Sequence, residues 1–157
     1  MRTASIIACL VVLVPPIAGQ TGLVAQGKAF CFDVGNIVGG LITDDPMKCI
    51  PTSGALTGTI SPIIIFEKPF LAVPAAKKTH LLVILLAVGK TIRDSGAQVD
   101  AVLVSDIENM KDHRAYSFGG KLAASLQAQV ESGRITLNVA YQKLLGNLKT
   151  IIVPKTH

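Results

Sequence analysis

The sequence predicts a mostly β domain, an antiparallel sandwich or meander with at most one or two short helices. Three observations lead there. Residues 135–142 alternate strictly: Ile135, Leu137, Val139 and Tyr141 against Thr136, Asn138, Ala140 and Gln142, the period of a half-buried strand. β-Branched residues are frequent along the chain and suit a pleated surface. Clusters of glycine, proline and aspartate separate the apolar runs, supplying positive φ and side chains that bond their own backbone. The alternative is an α+β domain with a helix over residues 121–131. There Leu122, Leu126 and Val130 make a helical stripe, while Leu126, Ala128 and Val130 also alternate as a strand would.

The chain opens with the marks of a cleavable leader. Arg2 precedes an apolar run over residues 4–14, interrupted only by Ser5. Pro15-Pro16 breaks the run, and the small residues Ala18 and Gly19 follow. A basic end, an apolar stretch, a breaker and small residues compose a secretory signal. The expected signal is 1–19, cut after Ala18 or Gly19, with a cut after Ala25 as the alternative. A membrane anchor needs about 20 consecutive apolar residues, more than this run supplies. Residues 20–29 are polar and glycine-rich and read as a flexible start. Residues 30–154 then form a single β-rich domain, long enough to bury a core.

Within that domain, residues 30–38 read as a strand. Gly39-Gly40 and Thr43-Asp44-Asp45-Pro46 turn the chain back, bringing Cys49 toward Cys31. Residues 55–66 contain Pro62, which limits them to an edge strand, a bulge or two short strands. Residues 80–88 form an apolar run too short to span a membrane, read as a strand buried on both faces. Arg93-Asp94-Ser95-Gly96 turns into a strand over 98–104, and Ser105-Asp106-Ile107-Glu108 fits a capping box for a short helix. Gly119-Gly120 breaks the chain before residues 121–131. The last strand is expected over 148–153.

Charge and chemistry narrow the function classes. The net charge is +5, with the basic residues scattered; two tyrosines, five phenylalanines and no tryptophan give no aromatic-laced basic face, so no nucleic-acid partner is expected. Cys9 leaves with the leader, and Cys31 and Cys49 are expected to pair in an oxidising compartment. Such a bridge stabilises a fold by roughly 3 kcal/mol. No glycine-x-serine-x-glycine elbow and no phosphate loop occurs, and Gly35-Asn36-Ile37-Val38-Gly39-Gly40 lacks the lysine of a nucleotide site. The main polar concentration is Asp100, Asp106, Glu108, Asp112 and His113. Carboxylates beside an imidazole are the groups that acid–base catalysis or a metal would use, though the alternating acids of a calcium loop are missing.

The expected function is therefore that of an exported, non-enzymatic domain, in the periplasm, at the cell surface or secreted. It binds or helps assemble a protein partner or a second copy, with no cofactor and no transmembrane span in the mature chain. The alternative is a small metal-dependent binder or enzyme centred on Asp106, Glu108 and His113. The leader is tested by the denatured mass of protein from its exporting host. A chain beginning at Gly19 or Gln20, lighter by about two mass units for the bridged cysteines, is expected; a full-length mass contradicts the leader.

Overall fold

Apolar stripes at helical spacing, rather than alternation, organise most of the chain. The fold comes from a computed structural model that describes residues 15–154, with side chains from residue 22 onward. The apolar run over residues 4–14 lies outside the described residues. In order, the elements are α1 (Pro15–Leu41), β1 (Met47–Ile50), β2 (Ile63–Phe66), α2 (Pro74–Ser95), β3 (Ala101–Asp106), α3 (Ile107–Lys111), β4 (Arg114–Gly119), α4 (Gly120–Glu131), α5 (Leu137–Asn147) and β5 (Lys149–Ile152).

This is an α+β architecture of five helices and one five-stranded mixed sheet among the described residues, not a β-sandwich or meander. The strands lie in the order β1-β2-β3-β4-β5. β2 and β3 run parallel, and every other neighbouring pair is antiparallel. Parallel neighbours need a crossover, and α2 provides it.

Five strand or loop expectations are overturned, each for a physical reason. Residues 20–29 and 30–38 belong to α1, where Gly27, Phe30, Val34 and Val38 are buried three or four residues apart along one face. Gly39-Gly40 lies inside the same helix rather than in a turn. Residues 80–88 are the middle of α2. Its proline start at Pro74 and left-handed glycine stop at Gly96 (φ 73°) are ordinary helix punctuation. Residues 137–142 open α5: Thr136 caps it by accepting the Val139 amide at 3.2 Å, and Ala140, Tyr141 and Leu144 are its buried side. The alternating Leu137 and Val139 face solvent. The helix over 121–131, the alternative reading, is α4.

The inner face of the sheet contributes Ile64, Phe66, Val102, Val104 and Phe118 to the core. Leu81, Ile84, Leu85 and Val88 of α2 lie against them, flanked by Phe30 and Val34 of α1 and Leu126 of α4. α2 contacts α1, α4 and α5, so the four longer helices form one layer. Its tightest approach is to α4: a Cβ at Gly89 would overlap the Ala123 carbonyl oxygen and crowd Gln127.

Two glycine substitutions test this packing in opposite directions. Gly89→Ala is expected to lower the unfolding free energy, because overpacking of about 1–3 kcal/mol exceeds the gain in helix propensity. Gly39→Ala, where nothing lies within 4 Å of the added carbon, is expected to raise it by about 0.5–1 kcal/mol. Urea denaturation of both variants is the check.

Candidate functional site

The long helices among the described residues cover one face of the sheet and leave the other. Side chains of paired strands point the same way, so the register defines the outer face. One row runs Ile50, Ile63, Leu103, Ser117 and Lys149 across all five strands. A second row contains Lys48, Ile65 and Ser105, then Ala115 and Ile151. Ile50 is exposed; Ile63, Ile65, Leu103 and Ile151 are half-buried; Ser105, Ala115 and Ser117 are buried between larger neighbours. Tyr116, one residue from each of Ala115 and Ser117, points the other way and meets Lys77 of α2 at 5.6 Å. The outer face is thus an apolar strip with lysines at both edges, Lys48 on β1 and Lys149 on β5. Neither row contains a carboxylate.

Of the helices, only short α3 borders this face. Asp106 caps it, accepting the Asn109 amide at 2.9 Å, one residue later than the serine cap expected from Ser105. α3 contributes no buried residue. Between it and the β1–β2 hairpin lies a groove of about 420 Å³, bounded by Ile65, Ile107, Met110, Lys48, Lys111 and Glu67.

The expected polar cluster does not converge there. Asp106 is fully buried, and its carboxylate is occupied by Asn109 and by the Leu71 amide at 3.3 Å. Glu108 is exposed and pairs with Lys111 at 3.2 Å. Asp112 is the C-cap of α3, and His113 sits in the left-handed region (φ 55°), carrying the chain into β4. Asp100 accepts the Ala55 amide at 3.1 Å on another loop. Among the described residues no group of three His, Cys, Asp or Glu side chains is placed to hold a metal ion.

A second polar pair is buried on the helix side. His80 Nε2 lies 2.9 Å from Asp45 Oδ2, while Asp45 Oδ1 accepts the Lys68 amide at 2.9 Å. The imidazole stacks on Phe70 (centroids 4.5 Å apart) and meets Phe66 edge-on at 4.6 Å. Its Nδ1 has no hydrogen-bond partner among the described residues. Among the described residues no serine, threonine or cysteine side chain bonds that nitrogen. The pair instead works with Asp106 as an anchor: two buried carboxylates hold the amides of Lys68 and Leu71, fixing the loop between β2 and α2. Sequence reading placed Asp45 in a turn and His80 at a strand end. Only their shared burial, which depends on α2 being a helix, makes them partners.

Elsewhere, the Gln127 amide and then the Arg93 guanidinium hold the Glu131 carboxyl below its usual value. That cluster ties α2 to α4. Cys31 on α1 and Cys49 on β1 stand at disulfide distance, Sγ to Sγ 2.07 Å, so the helix is tied to the edge strand. Among the described residues no helix is long and apolar enough to cross a membrane.

No protein-family model, curated protein or solved structure matches the chain.

The anchoring role of Asp45 gives a direct test. Asp45→Ala removes the acceptor for both His80 Nε2 and the Lys68 amide. It is expected to lower stability by about 3 kcal/mol. Asp44→Ala, which loses only an exposed 3.9 Å contact to Lys68, is expected to stay within about 0.5 kcal/mol of the parent in the same denaturation experiment.

Proposed function

We propose that this chain is an exported, non-enzymatic binding domain whose outer sheet face docks a protein partner or a second copy, in the envelope or outside the cell. The observation that carries the reading is that face: an apolar strip across five strands that no long helix among the described residues covers. Contiguous exposed apolar surface marks interaction sites. A partner laid on this face completes a three-layer arrangement and removes Ile50, Ile63, Leu103 and Ile151 from water. The free edge of β5 offers strand addition beside it.

Two observations favour export. The cysteine pair suits an oxidising compartment. Among the described side chains the fully buried positions of α1 begin at Gly27 and follow every cleavage point considered, while Leu23, which packs against the core, is kept only by a cut after Ala18 or Gly19. The alternative centred on Asp106, Glu108 and His113 has no comparable support, since those side chains are engaged separately.

Site-specific photo-crosslinking in the exporting host tests the reading. A crosslinker at Leu103 is expected to give one discrete adduct, to a partner or to a second copy, while one at the exposed Lys90 on the helix side gives none of it. No adduct from Leu103, or the same products from both positions, contradicts a docking face.

A further inference from the structure

We propose that the groove beside α3 is a binding site for a free single-chain aliphatic carboxylate, a fatty-acid-like anion. This goes beyond the docking of a protein on the sheet face. Its volume, about 420 Å³, lies within the range of about 300–1,000 Å³ typical of small-molecule sites. Its apolar lining includes Ile65 on β2 and Ile107 and Met110 on α3, with Ile107 43% exposed, beside Pro46, Met47 and Phe66. Methionine is flexible and polarisable and adapts to a chain of variable shape.

The rim selects the headgroup. Lys48 projects from the outer face directly opposite Ile65, so an ammonium stands beside the apolar floor. It makes no ion pair among the described residues. Lys111 adds a second cation, shared with Glu108 at 3.2 Å, against Glu67 as the acid of the lining. A chain with an anionic end places its tail along Ile65, Ile107 and Met110 and its carboxylate at Lys48. A neutral chain of the same length gains the burial alone, and a cationic one meets repulsion at both lysines.

α3 is suited to be the movable wall. It buries no side chain, and its attachment is the Asp106 cap at one end and the His113 turn at the other. Widening the groove therefore disturbs no core contact.

The test is titration of decanoate and decan-1-ol into the purified mature protein, followed by calorimetry and native mass spectrometry. No other protein is present and the native spectrum reads monomer and dimer apart, so the outcome is separate from that of the crosslinking. One decanoate per chain is expected, bound more tightly than the alcohol. Lys48→Ala is expected to weaken decanoate by about two- to fivefold, the range of an exposed ion pair, and to leave the alcohol unchanged. Met110→Glu is expected to weaken both about tenfold or more. Ile107→Glu, at an exposed position, repeats that test should Met110→Glu prove unstable. No saturable decanoate binding, equal binding of acid and alcohol, or binding indifferent to the glutamate substitutions overturns the proposal.

Discussion

The parallel pairing of β2 with β3 is the constraint from which the rest of the structure follows. Two parallel neighbours cannot be joined by a turn, so the chain must leave the sheet, cross it and return. α2 makes that crossing and lies over the inner face, with Leu81, Ile84, Leu85 and Val88 fully or nearly fully buried. Once α2 is in place, the remaining long helices gain most by packing on it. α1, α4 and α5 all do, the closest at Gly89, where α4 leaves no room for a side chain. The helices thus gather on one side, and the outer sheet face is what remains. Fold and candidate function have a common origin: the same crossover that builds the core leaves Ile63 and Leu103 without a covering layer.

The loop that launches α2 is held by unusual means. The backbone amides of Lys68 and Leu71 donate to side-chain carboxylates. Asp45 and Asp106 accept from them, each carboxylate being almost wholly out of solvent. Burying a carboxylate is costly unless its oxygens are hydrogen-bonded, and both oxygens of each are. His80, on the second turn of α2, shares Asp45 and fills the space between Phe66 and Phe70. Asp45, His80 and Asp106 are in this way committed to holding the fold. Asp106 also sets the start of α3, and so one wall of the groove.

How much of this was legible follows from the local physics. The bend at Thr43-Asp44-Asp45-Pro46, the break at Gly119-Gly120, the last strand and the approach of Cys49 to Cys31 depend on short-range chemistry, and the sequence carries them. The 80–88 segment misleads because α2 has the sheet on one side and other helices around it. With His80, Leu81, Ile84, Leu85, Ala87 and Val88 all buried, little polar face remains to show a helical period. Around 135–142 the alternation is real but idle: Leu137 and Val139 are solvent-exposed, and burial follows Ala140, Tyr141 and Leu144 instead. The candidate face was hidden for a different reason. Ile50, Ile63 and Leu103 lie in three separate segments, and only strand register sets them in one row. Asp106 and Glu108 were visible as a cluster, but the strand–helix junction between them sends one inward and one to solvent.

The most direct measurement is thiol accessibility at neighbouring positions of β3. Leu103→Cys and Val104→Cys are treated with a small alkylating reagent in native, monomeric protein, with Cys31 and Cys49 bridged. An uncovered outer face predicts modification at position 103, with position 104 protected until unfolding, since Leu103 is half-buried and Val104 wholly buried against the helices. Equal protection at both positions, or the reverse order, would contradict the one-sided sheet on which the proposed function rests.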